Sequence, residues 1–297
     1  MLHKAAYLSY KGVRRLVNLT GLDGPARKLL SPLVGRLFLK LSAAGDRPLT
    51  IHGHSMVIAS GDGYPPIDMA MGKYEQETTD LILRLIKPGM VVLDIGAHVG
   101  YYTLLAARQV GPEGKVYSFE PETDNHALLL RNIEQNGYEN IVATKSAVSD
   151  SEGDLTLYIS GLDNGRHSIY QHDYPQQGGV TVKTVTVDAF LQSQGWPEVG
   201  LIKVDVEGAE MQVLAGMAKL LKNASELNMI LEFNPPLLTS AGTDPLKLIE
   251  ELSRMGFKVS GIDERSGLRP LEGTEGEAFT RELVANHTSI NLLCSMR

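Results

Sequence analysis

Strand-like and helical patterns alternate from residue 81 to residue 261, and this alternation constrains the fold more than any other feature of the chain. The strand-like runs, such as residues 91–95 and 229–233, are apolar on both of their faces. Strands that are buried on both faces belong to parallel sheets, so the pattern predicts an α/β fold with helices on both sides of one sheet. In such sheets ligands bind at the carboxyl ends of the strands.

One segment, residues 151–191, interrupts the alternation. Residues 154–159 and 180–187 alternate with a period of two, and a long polar loop separates them. This arrangement predicts an inserted β-hairpin. Loops of this length without secondary structure are usually functional or disordered, so we expect the inserted loop to influence ligand choice.

The N-terminus differs in charge from the rest of the chain. Residues 1–40 are helical in pattern and carry eight Lys and Arg residues against one acid, Asp23, whereas the whole chain of 297 residues has a net charge of −7. We therefore predict a basic helical extension over residues 1–45 and an acidic domain over residues 46–297, with its core at 70–263. The favoured interpretation is that the extension caps the domain. The alternative is an amphipathic helix that rests on anionic lipid.

Charge and cysteine usage narrow the partners and the compartment. An acidic domain argues against a nucleic-acid partner, because nucleic-acid-binding surfaces are basic. A single cysteine, Cys294, excludes an intrachain disulfide and a multi-cysteine zinc site, and a reducing cytoplasm is the simplest location. The sequence contains no run of 18 apolar residues that could span a membrane. It does not indicate an oligomeric state.

A glycine-containing turn follows the first strong strand, in the string VVLDIGAHVGYYT at residues 91–103. The dinucleotide pattern G-x-G-x-x-G fails at two of its three glycines, where His98 and Tyr101 stand, so NAD is disfavoured. The S-adenosylmethionine version has an acid two residues before the first glycine and the spacing G-x-G-x-G. Asp94, Gly96 and Gly100 fit that version, and only His98 departs from it.

A second signal for a nucleoside is Glu120. It ends the next strand, 20 residues after Gly100. A carboxylate at that position can accept hydrogen bonds from both hydroxyls of a ribose. The glycine turn and this acid together predict a nucleotide-like cofactor at the carboxyl edge of the sheet.

Four strings together resemble the FkbM family of class I S-adenosylmethionine-dependent methyltransferases. They are VVLDIGAHVGYYT, VYSFEPE (residues 116–122), SAVSD (146–150) and LIKVDVEGAEMQVLAG (201–216). The upstream string GKYEQET (72–78) is similar to that family as well, and the resemblance covers roughly residues 70–260. The most specific piece is DVEGAE after a parallel strand.

The resemblance implies a Rossmann-like sheet of seven strands and methyl transfer to a hydroxyl oxygen of a sugar, a polyketide or a lipid-linked molecule. It also implies that the methionine end of the cofactor contacts the glycine turn, that its ribose contacts Glu120, and that its adenine lies beside Ser146 and Ala147. Asp205 would face the sulfonium and the acceptor. The implied cofactor-binding residues are Glu75, Asp94, Gly96, His98, Gly100, Glu120, Ser146, Ala147 and Asp205.

A neutral hydroxyl must lose its proton when it is methylated, so the site needs a base or a cation. Asp205 is the first candidate, His167 of the inserted loop is a second, and Glu232 at the end of its own strand is a third. We interpret Glu207 and Glu210 as acids that stabilise a helix N-terminus. A divalent metal held by Asp205, Glu232 and a loop group is an alternative that is not favoured, and no metal ligand is assigned.

Two other functions are weighed against O-methylation. The chain could be a catalytically silent scaffold that binds a partner or a membrane, but its intact cofactor motif argues against this. The string NPPL at residues 234–237 resembles a motif of amino-group methyltransferases that act on nucleic-acid bases. Here it follows the fifth strand instead of the fourth and ends in Leu237 instead of an aromatic residue, so we interpret it as a loop that shapes the acceptor pocket.

Overall fold

The computed structural model describes residues 48–58, 69, 74–162, 164–263 and 266–296. The chain divides into two compact units, Met1–Tyr74 and Glu75–Arg297. In the first unit the described residues include an antiparallel hairpin, β1 (Leu49–Ile51) with β2 (His54–Met56). The predicted basic extension, residues 1–45, lies outside the described residues.

The second unit contains the predicted alternation of strands and helices. Its described strands are β3 (Val91–Ile95), β4 (Lys115–Phe119), β5 (Ile141–Thr144), β6 (Ala147–Val148), β7 (Gly153–Ser160), β8 (Gln176–Val185), β9 (Val199–Val204), β10 (Leu227–Phe233), β11 (Lys258–Asp263), β12 (Gly267–Pro270) and β13 (Ile290–Met296). Its described helices are α1 (Gln76–Leu85), α2 (Tyr101–Val110), α3 (Thr123–Asn136), α4 (Val187–Ser193), α5 (Glu210–Ala215), α6 (Ala218–Asn223), α7 (Pro235–Ser240), α8 (Pro245–Arg254) and α9 (Gly273–Ala285).

The central sheet has the strand order β12-β11-β13-β10-β9-β3-β4-β5. Strands β10, β9, β3, β4 and β5 are parallel, and β13 is inserted antiparallel between β10 and β11. The first residue of β13, Ile290, therefore pairs with the last residue of β10, Phe233. The start of β13 and the carboxyl ends of the parallel strands meet at one edge of the sheet.

Both faces of the sheet are buried, as the apolar strands predict. In β3, Leu93 and Ile95 belong to one core cluster, while Val92 between them belongs to another. Because successive side chains of a strand point to opposite faces, the two clusters lie on the two sides of the sheet. The predicted α/β class with a covered, mostly parallel sheet is confirmed.

The sheet has eight described strands, whereas the resemblance to the FkbM family implied seven. The additional strand is β12, which pairs antiparallel with β11 alone at the edge of the sheet. Its four residues, GLRP, are mostly exposed and show no apolar alternation, so no periodicity marks them as a strand.

The inserted segment forms the hairpin of β7 and β8, which pair antiparallel, and β6 just before it pairs parallel with β8 to complete a three-stranded sheet. The sequence pattern predicts one strand over residues 141–148, and this prediction is wrong, since its second half, β6, joins the smaller sheet. The expected strand over residues 180–187 ends at Val185. The reason is a helix cap, because the hydroxyl of Thr186 accepts a hydrogen bond from the N–H of Ala189 and starts α4.

Two more expectations are corrected by local packing. The string at residues 234–237 is not a loop, since Pro235 and Pro236 begin α7, where a missing N–H costs nothing. The sequence pattern predicts a single helix over residues 209–221, but the segment forms two helices, α5 and α6, which separate around Gly216. A Cβ on Gly216 would lie 2.0 Å from the carbonyl oxygen of Ser149, the residue after β6, so the backbone at Gly216 passes too close for a side chain. In the part of the chain that the structure describes, no helix is both long and apolar enough to cross a membrane.

Candidate active site

The glycine turn between β3 and α2 contains three residues with left-handed backbone. Gly96 has a φ of 85°, His98 of 51° and Gly100 of 94°. A Cβ on Gly96 would lie 1.8 Å from the carbonyl oxygen of Asp205, so only glycine fits there. The N–H groups of Gly96 and Ala97 both donate to the carbonyl of Phe119, each at 3.0 Å. The turn thus joins the carboxyl ends of β3, β4 and β9.

Glu120 follows β4 and is buried beside this turn. Its Oε2 accepts a hydrogen bond from the N–H of His98 at 2.8 Å, and its Oε1 accepts one from the N–H of Glu122 at 2.9 Å. Burial raises the pKa of Glu120 to about 7, although the two backbone N–H groups oppose the rise. A carboxylate oxygen can accept more than one hydrogen bond, so this fixed carboxylate retains acceptor capacity for a pair of hydroxyls.

The other predicted cofactor residues lie around the same edge. Asp94 is buried and accepts a hydrogen bond from the hydroxyl of Thr103, and burial raises the pKa of Asp94 to about 6. Ser146 and Ala147 follow β5, and the N–H of Ser146 donates to the carbonyl of Thr144 at 3.0 Å. The same carbonyl accepts from the N–H of Glu120 at 3.1 Å, so the SAVSD string begins next to that acid.

A buried lysine that the sequence analysis missed stands at the end of β9. The side chain of Lys203 is 3% exposed, and its Nζ lies 2.8 Å from Oδ2 of Asp205. Although burial lowers the pKa of Lys203, the carboxylates of Asp205 and Glu75 raise it above its ordinary value. Lys203 therefore keeps its positive charge beside Asp205 and Glu75. The available signal was a lysine inside the apolar string LIKVDV, which is unusual for a covered strand.

Glu75 joins the site from the residue before α1. Its Oε2 accepts hydrogen bonds from the hydroxyl of Tyr102 at 2.6 Å and from Nδ2 of Asn291 at 3.0 Å. Burial raises the pKa of Glu75, while the charge of Lys203 opposes the rise. Tyr102 and Asn291 come from α2 and β13, and neither was predicted as a site residue.

Three carboxylates meet beside Lys203. Asp205, Glu207 and Glu232 each place an oxygen within 4.8 Å of the others, and we call these three residues the acid cluster. Oε2 of Glu232 is buried and has no hydrogen-bond partner among the described residues. Burial, followed by the negative charges of Glu207 and Asp205, raises the pKa of Glu232 well above its ordinary value. Two of the three predicted catalytic residues thus come together, and Glu207, which was interpreted as a helix-capping acid, joins them.

The third predicted catalytic residue, His167, has its described hydrogen bond inside the inserted segment. Its Nδ1 accepts from the N–H of Ser160 at 3.1 Å, which ties the loop to β7. A different histidine of that segment, His172, reaches the acid cluster. Its Nε2 lies 3.0 Å from the carbonyl oxygen of Glu207, and the hydroxyl of Ser168 donates to the same oxygen at 2.7 Å.

This double contact supports an uncommon backbone conformation. Glu207 has a φ of 53°, in the left-handed region that most residues avoid. The next residue, Gly208, has a φ of 101°, and a Cβ there would lie 3.0 Å from the carbonyl oxygen of Leu237. The inserted segment, through Ser168 and His172, therefore fixes the turn that carries the Glu207 carboxylate.

Comparison with known proteins shows which family this chain resembles in sequence. The family model described as the methyltransferase FkbM domain matches residues 94–259. The hexuronic acid methyltransferase AglP of Haloferax volcanii is 28% identical over 180 residues, which are 60% of this chain and 68% of the relative. The 31-O-demethyl-FK506 methyltransferase FkbM of Streptomyces tacrolimicus is 29% identical over 161 residues, 44% of this chain and 61% of the relative. The 2-O-methyltransferase NoeI of Sinorhizobium fredii is 25% identical over 150 residues, 46% of this chain and 60% of the relative.

Proposed function

The chain belongs to the methyltransferase FkbM family, and on that basis we propose that it transfers a methyl group from S-adenosylmethionine to a hydroxyl oxygen of a small molecule, a sugar or a lipid-linked glycan. The observation that carries the proposal is the juxtaposition at one sheet edge of Glu120 beside the glycine turn and the acid cluster beside Lys203. The first group suits a nucleoside, and the second suits proton removal.

The residues at this edge fit S-adenosylmethionine. The cofactor supplies, when bound, an electrophilic methyl group on a positively charged sulfur. Glu120 presents an acceptor-only group for a ribose diol once it is ionised, and its geometry is fixed by two backbone hydrogen bonds. Three carboxylates against one lysine leave an excess of negative charge at the acid cluster, which favours a cationic group nearby.

The acid cluster supplies the groups that handle the acceptor. As the acceptor oxygen forms its bond to the methyl carbon, the sulfur–carbon bond breaks and the hydroxyl proton must pass to the protein. We assign that proton to Glu232, because its Oε2 is unpartnered and its raised pKa makes it a better base than an ordinary carboxylate. Asp205, held by Lys203, is assigned to orient the hydroxyl. This gives His167 no role in proton transfer.

Binding and chemistry can be tested separately. Calorimetric titration with S-adenosylhomocysteine should give binding for the wild type and a strong loss for Glu120→Ala. Glu232→Gln should bind the ligand like the wild type and lose methyl transfer, which tests its role as the base. Gln keeps the size of the side chain and removes the proton-accepting carboxylate. No binding by the wild type would overturn the proposed function.

The basic helical extension over residues 1–45 and the cytoplasmic location are predictions from the sequence. Residues 1–40 could cap the domain or contact anionic lipid, and the capping interpretation is favoured because basic helix faces are commonly only solvated. Co-sedimentation of the full chain with anionic vesicles, at low and at high salt concentration, tests the lipid contact. Binding that salt does not abolish, or no binding at all, would argue against an electrostatic membrane contact. A cytoplasmic location rests only on the single cysteine, and no nucleic-acid partner is proposed.

A further inference from the structure

A cleft of about 560 Å³ opens next to the acid cluster, on the side of the sheet edge formed by β11, β12 and β13. Glu75, Glu232 and Asn291 are lining residues that belong to the site described above, and we call the part of the cleft that they form its inner end. Its outer part contains residues to which the proposed function gives no role. The inference that follows rests on that proposed function and concerns the acceptor.

One wall of the cleft is a single face of α9 and the residue after it. Phe279, Glu282, Leu283 and Asn286 all line the cleft. They are spaced at i, i+3, i+4 and i+7, which places them on one side of a helix. This face of α9 is not purely apolar, because it also presents the carboxylate of Glu282 and the amide of Asn286 to the cleft.

Arg269 of β12 is the one cation among the described residues that line the cleft. Its guanidinium carbon lies 3.7 Å from the centre of the Phe279 ring, and its side chain is 45% exposed. Its ion pair with Asp263 is long, at 4.0 Å. Stacking on the ring holds the guanidinium plane and leaves its N–H edge available to a ligand.

The lining is chemically mixed in a way that suits many hydroxyl groups. The acceptors Asp263 and Glu282, the donor Arg269 and the amide of Asn286 stand around one space, together with the hydroxyls of Thr288 and Ser289. The apolar side chains Ile262, Phe279, Leu283 and Ile290 also line the cleft, so its surface offers apolar contacts beside the polar ones. Such a surface fits a ring that has apolar faces and carries hydrogen-bond donors and acceptors around its edge.

We propose that this cleft binds a glycosyl ring of the acceptor, that Arg269 is a residue that determines its specificity, and that the ring presents one hydroxyl to Glu232 at the inner end. The continuity of the cleft with Glu232 and Glu75 carries this assignment. A neutral sugar would use the guanidinium as a hydrogen-bond donor, and an acidic sugar would pair its carboxylate with it. Both share the hydroxyl-rich ring.

Binding of simple sugars to the full chain tests the proposal without catalysis. The protein is saturated with S-adenosylhomocysteine, and saturation-transfer NMR is used to titrate methyl glucoside, methyl glucuronide and, as a flat non-sugar hydroxyl compound, catechol. We expect both sugars or one of them to bind and catechol not to compete. Tighter binding of the glucuronide would indicate a carboxylate on Arg269, and equal binding would indicate hydroxyl contacts.

Arg269→Ala should weaken sugar binding about tenfold and leave the affinity for S-adenosylhomocysteine unchanged, since a charged hydrogen-bond donor is lost. Arg281→Ala is the matched control, because Arg281 lies on α9, pairs with Glu277 and is not among the lining residues. Glu282→Ala provides a second variant, on the α9 wall, and should also weaken sugar binding.

Three results would overturn the proposal. One is sugar binding that is unchanged in both Arg269→Ala and Glu282→Ala. Another is a wild type that binds S-adenosylhomocysteine and catechol but neither sugar, which would leave the proposed function standing. The third is a wild type that does not bind S-adenosylhomocysteine, which would remove the proposed function and this inference with it.

Discussion

The Nζ of Lys203 lies 2.8 Å from Oδ2 of Asp205, at the point where β9 ends and the site begins. The lysine side chain is 3% exposed and the aspartate side chain 27%, so the ion pair spans the boundary between the core and the site. The Nζ also lies 5.4 Å from the centre of the Tyr102 ring, on the helix that follows the glycine turn. This buried charge fixes the orientation of Asp205 and offsets part of the negative charge of its neighbours.

Replacing the lysine should therefore affect both stability and the pH dependence of activity. Lys203→Met leaves Asp205 without its partner, and we expect the free energy of unfolding to fall by about 1–3 kcal/mol. The charge of Lys203 lowers the pKa of Asp94, Glu75 and Glu232, so its loss raises those pKa values. The rising limb of kcat/KM against pH should move to higher pH. Lys183→Met, at an exposed ion pair of the inserted sheet, should change neither quantity.

Cofactor affinity should depend on the ionisation of Glu120. Its pKa is raised to about 7, and only the ionised form offers both oxygens as acceptors. We expect binding of S-adenosylhomocysteine to weaken as the pH falls through that value. In Glu120→Gln the binding should be weaker at high pH and independent of pH in this range. A pH dependence that survives in the variant would assign the titration to another group.

Substitutions at two glycines separate steric conflict from backbone strain. Gly96→Ala would place a Cβ 1.8 Å from the carbonyl oxygen of Asp205, so we expect the melting temperature to collapse or the protein not to fold. Gly89 has a similar φ of 80° and open space around it. Gly89→Ala should cost only the left-handed strain, about 1–2 kcal/mol. Equal losses in the two variants would show that the close approach to Asp205 is unimportant.

Local motifs predicted much of this site because their residues are neighbours along the chain. The positions of Asp94, Gly96 and Glu120 at strand ends follow from strand–turn–helix patterns. Contacts between distant segments could not be predicted in this way. Glu75 and Asn291 are 216 residues apart and meet only because β13 is inserted antiparallel beside β10.

The cleft wall escaped prediction for a related reason. Its helix, α9, begins at Gly273 without a described side-chain cap and lies beyond the region that the motifs cover. The strand that carries Arg269 is too short to show a period.

The inserted segment was predicted as a hairpin with a catalytic histidine. Which histidine reaches the site depends on how the loop docks against the Glu207 turn, and residue spacing does not encode that docking.

Substitutions of the two histidines of the inserted segment should lower kcat to different extents. His172 holds the carbonyl of Glu207, so His172→Ala should loosen that turn and lower kcat about tenfold, with the affinity for S-adenosylhomocysteine unchanged. His167→Ala removes a bond to Ser160 within the segment and should lower kcat less. A loss of about a hundredfold or more in His167→Ala alone, together with a changed pH profile, would restore His167 as the general base.

Methyl transfer should proceed without a divalent metal. The carboxylates of Asp205, Glu207 and Glu232 are close enough to surround a cation, but the ammonium group of Lys203 already occupies one oxygen of Asp205. A divalent cation that used this oxygen would have to displace the ammonium, and the buried Lys203 would then lose its partner. We therefore expect initial rates with a chelator, with added magnesium and with sodium chloride of equal ionic strength to agree.

If a chelator abolishes activity and magnesium restores it while the sodium salt does not, the acid cluster holds a metal and the assignment of Glu232 as the base must be withdrawn. Measuring Lys203→Met in the same series shows whether the lysine is what excludes the ion, because only then should magnesium begin to bind to the variant.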